Sequence, residues 1–259
     1  MGAATVHPSA VVAHDAELGD GVEVGPFAVV EPGVQVGEGT RLDAHAVVRS
    51  GTRLGARNVV HPFAVIGGDP QERNYAGEPT RLEIGDGNTF REHVTVHRGG
   101  RKGAGVTRIG HHGLFMAGVH VAHDCLLGDR LELANGALLA GHVTLGDHVV
   151  LGGGAALAPF VEVGERAFVA AGAMVEHDVP PFVIAAGDRA RVRALNRVGL
   201  CRSGVPEASR AALERAFRLI FRGGAPRALA AASLAGDADP LVRRLAAFVI
   251  ASSRGAAGG

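Results

Sequence analysis

The sequence predicts a mainly β protein: a parallel β-helix wound from six-residue repeats and closed at its far end by α-helices. Three observations predict it. A large apolar residue recurs at every sixth position, a glycine recurs at every eighteenth, and both periods stop near residue 187, where runs with helical spacing begin.

The first period runs in one phase from Val6 to Ile66 and returns in that phase at Ile84, Phe90 and Val96. After a shift of one position it runs again from Ile109 to Val175. Neither a helix of period 3.6 nor a simple strand of period 2 needs a spacing of six. The second period gives that spacing its meaning. Gly19, Gly37 and Gly55, then Gly110, Gly128, Gly146 and Gly164, follow an apolar residue and stand eighteen apart. Three hexads therefore make one coil, each hexad a short strand and a corner, and successive coils stack by parallel pairing at about 4.8 Å. The spaced aliphatics point inward, and corners such as LGDG, VGEG and IGDG accept tight backbone geometry.

Two segments leave the frame, GGDPQERNYAGEPTRLE (67–83) and HRGGRKGAGVTR (97–108). Long excursions from a regular scaffold tend to carry function. The second is rich in glycine and cations but lacks the order G-x-x-x-x-G-K-[ST], so it is not a phosphate loop of that type. The β-helix is expected over residues 1–187 and a helical region over 188–259. In the latter, PEASRAALERAFRLIF has Pro206 at its start, Leu213, Phe217 and Ile220 on one face, and Gly223-Gly224 as its stop. PLVRRLAAFVI reads as a further helix with Leu241, Leu245 and Phe248 aligned. Such a cap would cover strand edges left open at the end of the coil.

Composition sets outer limits. With 47% hydrophobic residues in 259, the chain can bury a sizeable core, yet no apolar run approaches the roughly 18 residues of a membrane span. The opening residues, MGAATVHPSA, lack a signal peptide's regions, so a cytoplasmic location is expected. Cys125 and Cys201 are too few for a disulfide framework and lack zinc-site spacing. Net charge is zero but unevenly placed. Residues up to Asp188 hold 13 Lys+Arg and 22 Asp+Glu, while residues 189–259 hold 13 Arg and 4 acids, which suggests an acidic partner for the tail. That partner is not expected to be nucleic acid: the tail lacks Lys, Tyr, Trp and any recognised binding motif.

The stretch HVAHDC (120–125) is where chemistry concentrates. Val121 points inward, so His120 points out and His123 lies at the corner. One coil later Gly141 is level with His123 and His142 is one step beyond, so His120, His123 and His142 are expected along one edge. An imidazole titrates near neutrality, and the adjacent Asp124 can orient it and stabilise its charged form. Gly141 lets an oxyanion approach its backbone N–H.

The hexad pattern resembles the hexapeptide-repeat acyltransferases, and that resemblance, not the periodicity, implies a left-handed coil and a trimer. More specifically, NYAGEPTRLEIG (74–85), VTVHRG (94–99), HVAHDC, LANGALLAGHV (133–143) and DVPPFVIAAGD (178–188) together are similar to the acyl-carrier-protein-dependent UDP-N-acetylglucosamine O-acyltransferases of lipid A synthesis. The match covers nearly the whole chain. It implies His123 as general base, Asp124 as its partner and Gly141 as oxyanion donor. His97, His120 and His142 would line the cleft, and Gln71, Glu72, Asn74, Tyr75, Asn196 and Arg202 would contact the nucleotide sugar or acyl chain. Ala171 falls where the family sets acyl length. No metal and no organic cofactor is implied. The implied partners are an acylated carrier protein, steered by Arg189, Arg191, Arg193, Arg197 and Arg202, a UDP-sugar, and two further copies forming intersubunit sites. The chain departs from the family pattern at Asn74 (usually Lys), Ala158 (usually His), Val198 (often Glu) and Ser203 (often Arg). Three alternatives stand beside this reading: a 3-amino sugar acceptor, a non-catalytic binding paralogue, and a zinc-dependent carbonic anhydrase of the same coil.

Overall fold

A computed structural model describes residues 2–252, so the last seven positions of the expected helical region, 253–259, lie outside the described residues. Among the described residues the hexads form strands of two to four residues which, joined by one further strand after residue 187, assemble into three sheets of 11, 9 and 8 strands, each sheet taking every third strand of the chain as far as Met174–Val175. Pairing partners stand one coil apart: Val6 lies beside Val24, Val24 beside Leu42, and Leu42 beside Val60. The excursions lengthen two coils, so Val60 pairs with Phe90 and Phe90 with Phe115 before the regular step returns at Leu133. This is the left-handed parallel β-helix.

The in-phase residues form a continuous apolar core from Val24 to Val175. Val6 shares their phase yet stays 41% exposed, because the first coil has no coil beneath it. Thr40, Asn58 and Asn88 interrupt the core and are buried. They satisfy one another: the Thr40 Oγ1 accepts from the Asn58 N–H, the Asn58 Oδ1 from the Asn88 N–H and side-chain amide, and the Asn88 Oδ1 from the Gly113 N–H at 2.7 Å. At one corner Phe27, His45, Phe63 and His93 stack in a column with centroid spacings of 5.1, 4.9 and 5.3 Å.

The frame-breaking segments are narrower than the sequence suggests. Strand Val65–Gly68 and strand Arg81–Ile84 reach into the first, and strand Thr95–His97 and strand Val106–Ile109 into the second, leaving 69–80 and 98–105 as the loops proper. Parallel pairing to neighbouring coils continues wherever a main-chain partner is in reach.

Residues 188–259 do not begin as helix. Arg191–Leu195 alternates apolar and polar residues and adds an antiparallel strand to Val183–Ala186, ending the largest sheet. Four helices follow: α1 (Arg197–Arg202), α2 (Glu207–Arg222), α3 (Arg227–Ala232) and α4 (Pro240–Ala251). In α2, Leu213, Ala216, Phe217 and Ile220 are buried, as the spacing predicts. In α4 the buried stripe is Val242, Leu245, Ala246 and Val249: Leu245 is buried as expected, whereas Leu241 and Phe248 are only half-buried at its margin. Pro240 and the Asp239 cap, which accepts from the Leu241 N–H, start the helix, and packing against α2 and α3 turns Val242 inward. Among the described residues no helix is long and apolar enough to cross a membrane.

Candidate active site

His123 and Asp124 form the corner between strand His120–Val121 and strand Leu126–Leu127. Asp124 has φ 60°, the left-handed region that L-residues seldom adopt, and its conformation turns the carboxylate back under the imidazole. The His123 Nδ1–H donates to Asp124 Oδ2 at 2.8 Å, which leaves Nε2 as the free basic nitrogen. The Asp124 side chain is 3% exposed and that of His123 15%. A carboxylate held this way orients the ring and stabilises the imidazolium that forms when Nε2 takes a proton.

Gly141 lies one coil above His123. A Cβ on Gly141 would stand 2.7 Å from the imidazole Cε1 and 2.8 Å from Nε2, so the ring rests directly on bare backbone. Among the described residues the Gly141 N–H donates to no group of the chain, while its carbonyl accepts from the Phe160 N–H. His142, with φ 64°, sets its ring edge-on to His123 at 5.2 Å and stacks on Phe160 at 4.4 Å.

Both excursions converge here. The first brings a Glu72 carboxylate oxygen to 3.9 Å from His123 Nδ1. Glu72, His123 and His142 each place one ligand-type atom within 4.8 Å of the others, the one group of three such residues among those described. The second excursion supplies the Gly100 N–H, which donates to Asp124 Oδ2 at 2.7 Å. Arg98, only 8% exposed, secures the first excursion to the coil. It donates to the Ser50 and Gly67 carbonyls at 2.8 and 2.9 Å, to the Tyr75 hydroxyl at 3.1 Å and to Asp69. Tyr75 in turn donates to the Glu78 carbonyl. Gln71 and Asn74 are exposed in the same loop, and Asn74 lines a cleft of about 650 Å³ with Glu72, Arg73, Arg101 and Lys102.

The histidine edge resolves into two ring pairs: His123 meets His142, while His120 meets His97 at 5.1 Å. The His97 Nδ1–H donates to the Asp69 carbonyl at 2.6 Å, and His120 Nδ1 shares a 2.8 Å hydrogen bond with the Thr95 hydroxyl. Burial, and then the neighbouring His97, pushes the His120 imidazole below its ordinary value.

Asn196 and Arg202 lie elsewhere in the chain. They line a cleft of about 510 Å³ between α1 and the outer face of the 11-stranded sheet, with Arg130, Arg166, Phe168 and Val198. Asn196 is buried and caps α1: its Oδ1 accepts from the Gly199 N–H, and its amide donates to the Arg166 carbonyl. Burial, then Arg166 and Arg130, depresses the pKa of His148 in this cleft, whose cations suit an anionic ligand. Ser203 accepts from Arg166 Nε at 3.2 Å, and Val198 is exposed. Ala158 packs against the core. Ala171 is exposed at a third location, the corner just before strand Met174–Val175, where a Cβ on Gly152 would meet its backbone N at 2.4 Å.

Sequence reasoning missed Arg98, Gly100 and Thr107. Arg98 reads as a surface cation until its two terminal nitrogens are seen making four hydrogen bonds. A signal did exist for the glycines: the run GGRKGAG (99–105) packs four of them sixteen residues before AHDC.

A family model described as UDP-N-acetylglucosamine O-acyltransferase, domain 2, matches residues 178–257, and one described as bacterial transferase hexapeptide (six repeats) matches 33–68. The chain is 47% identical over 254 residues to the acyl-[acyl-carrier-protein]–UDP-N-acetylglucosamine O-acyltransferase of Thiobacillus denitrificans, covering 97% of this chain and 98% of that protein. Its identity to the protein of that name from Alkalilimnicola ehrlichii is 49%, with 96% and 98% coverage. Among solved structures, a UDP-N-acetylglucosamine acyltransferase from Campylobacter jejuni superposes with a TM-score of 0.94 at 37% identity, covering 98% of this chain and all of that one.

Proposed function

The chain belongs to the acyl-carrier-protein-dependent UDP-N-acetylglucosamine O-acyltransferases, and on that premise we propose that it moves a 3-hydroxyacyl chain from acyl carrier protein to the 3-hydroxyl of UDP-N-acetylglucosamine, with His123 as general base. The observation that carries the assignment of the base is the His123–Asp124 hydrogen bond beside the bare backbone of Gly141.

His123 Nε2 removes the proton from the sugar hydroxyl as its oxygen attacks the thioester carbonyl. The Gly141 N–H receives the resulting oxyanion, and Asp124 stabilises the imidazolium. Collapse of the tetrahedral intermediate breaks the carbon–sulfur bond, and the imidazolium returns its proton to the departing thiolate. The products are the acylated nucleotide sugar and free carrier protein. No step needs a metal, although Glu72, His123 and His142 have the donor set to hold one.

The division of the site supports catalysis in a trimer. The base sits on one corner of the prism, whereas the cationic cleft containing Asn196 and Arg202 opens on the outer face of the 11-stranded sheet. A head-to-tail ring of three copies brings the corner of one copy to the face of the next. The outward positions of the 9-stranded sheet include Val11, Val29, Val47, Val65, Leu138 and Met174, an apolar face that assembly would cover. Carrier protein is acidic, and the Arg-rich strand Arg191–Leu195 with α1 offers complementary charge, Arg189 and Arg197 being already ion-paired within the chain.

The deciding experiment is a mass-spectrometric turnover assay. It uses 3-hydroxyacyl carrier proteins of several lengths, UDP-N-acetylglucosamine and its 3-amino analogue, and His123→Ala as control. An ester that disappears in the variant is the expected result. Product from the amino analogue alone would move the acceptor to a 3-amino sugar, and undiminished turnover by His123→Ala would remove the base.

A further inference from the structure

The second excursion has no place in the chemistry as described, yet two of its residues grip Asp124 from different sides. The Gly100 N–H donates to Oδ2 at 2.7 Å, the same oxygen that receives the His123 Nδ1–H. Thr107, wholly buried on the strand by which the excursion returns to the coil, accepts the Asp124 backbone N–H on its Oγ1 at 2.8 Å. A third contact closes the space: a Cβ on Gly103 would lie 2.2 Å from Asp124 Oδ1 and 2.4 Å from Cγ. Oδ1 is itself buried and accepts no hydrogen bond among the described residues.

We propose that the segment 99–107 is a clamp for Asp124, with Thr107 and Gly100 as positioning residues for the His123 base; this rests on the reading of His123 given above. Asp124 shares its left-handed corner conformation with twelve other non-glycine residues among those described, and at corners such as His142 and Arg130 the N–H donates to a carbonyl one coil back, that of His123 or His111; at Asp124 the Thr107 hydroxyl takes the place of that carbonyl. Thr107 fixes the main chain of Asp124, Gly100 fixes its carboxylate, and Gly103, bare of a Cβ, leaves the space that the carboxylate occupies. All three act on the imidazole only through Asp124. The glycines are explained on the same basis. A Cβ on Gly100 would meet Glu72 Oε2 at 2.7 Å and Asp124 Oδ2 at 2.9 Å, so any side chain there would part the two carboxylates from their present positions.

The test is a kinetic cycle on the full chain with 3-hydroxyacyl carrier protein and UDP-N-acetylglucosamine. Thr107→Val is nearly isosteric and removes the acceptor. It is expected to lower kcat about tenfold, the scale of a sub-ångström misplacement of a catalytic group, with KM for both substrates close to wild type and Tm lower by several degrees because the buried Asp124 N–H loses its acceptor. Thr107→Ser keeps the acceptor and is expected to restore kcat to within about twofold of wild type. In an Asp124→Asn background, Thr107→Val should lower kcat no further, because the group through which it acts is already lost. Gly103→Ala, whose new Cβ would meet Asp124 before any other residue, should show the same dependence on Asp124 and keeps the test open if Thr107→Val fails to fold. Two independent, multiplying losses would overturn the clamp, as would a rise in KM at constant kcat or a serine variant as impaired as the valine. His123→Ala separates the two ideas. If it retains turnover, the base assignment itself is lost; if it abolishes turnover while the Thr107 and Asp124 effects multiply, the base stands and the clamp fails.

Discussion

Replacing Gly141 with alanine tests the placement of the base without removing any functional group. The new Cβ would lie 2.7 Å from His123 Cε1 and 2.8 Å from Nε2, about 0.8 Å inside a normal carbon–carbon contact of about 3.5 Å. Gly141 is buried backbone in a coil tied to its neighbours, whereas the His123 ring lies at a corner and is partly open to solvent, so the ring yields. Its displacement lengthens the 2.8 Å hydrogen bond to Asp124 and moves Nε2 away from the incoming hydroxyl. Misplacement by an ångström costs roughly a hundredfold in rate, so about 0.8 Å corresponds to a loss of about 10- to 100-fold, or about 1.4 to 2.7 kcal/mol in the barrier. The backbone N–H survives the change, so the loss reports the ring alone. The assay is kcat/KM with saturating carrier-bound donor, accompanied by a melting curve expected to stay near wild type. Activity within about twofold of wild type would refute the reasoning, for it would mean that the nitrogen resting on Gly141 is not the one that takes the proton.

Further outcomes follow from other parts of the chain. Burial pushes the Cys125 thiol up to about 12, while Cys201 is exposed, so a thiol reagent at pH 8 should modify Cys201 and leave Cys125 unmodified until the protein unfolds; peptide mass mapping checks this. The depressed His120 pKa means that the unfolded chain binds its proton more readily than the folded one. His120 therefore makes stability fall as pH drops through its ordinary value near 6.5, and His120→Asn should flatten the loss between pH 7.5 and 5.5 in urea titrations; an unchanged slope would count against it. Arg98→Met removes the donors that serve the Ser50 and Gly67 carbonyls and frees the first excursion. A loss of about 3 kcal/mol and faster proteolysis within 69–80 are expected in denaturant and protease assays. Finally, under the proposed role of Ala171 in setting acyl length, Ala171→Gly should shift donor preference toward longer acyl chains; an unchanged length profile across a donor series would sink the assignment.

Most of the architecture was legible because a coil of identical steps writes its geometry into the chain repeatedly. The apolar phase located one inward column, from Val24 onward, and the corner argument placed His123 level with Gly141; the second inward column, two positions earlier in each hexad and made largely of small residues such as Ala28, Ala46 and Ala137, carried no comparable signal. Where only one copy of a feature exists, the sequence was less informative. The rotation of α4 is set by its packing against α2 and α3, and the strand Arg191–Leu195 owes its existence to an edge that only the finished coil presents. Asn196 reads as a ligand contact from resemblance, while its buried amide also holds a helix start in place. The same limit applies to Thr107 and Gly100, whose partner is 17 residues away from one and 24 from the other, through a loop with no periodicity to follow.

The buried run of Thr40, Asn58 and Asn88 bears on how such a chain finds its fold. Near-identical coils are almost interchangeable, and a growing stack could seat one rung on the wrong neighbour while burying nearly the same hydrocarbon. A slipped rung would leave an amide facing valine or leucine with no partner, a loss of about 1–3 kcal/mol for each stranded group. Correct seating leaves the amides mutually satisfied and ends the series at the Gly113 N–H. Three polar side chains thus act as a combination lock: they add little to the depth of the native well, but they raise the energy of every misaligned stack above it.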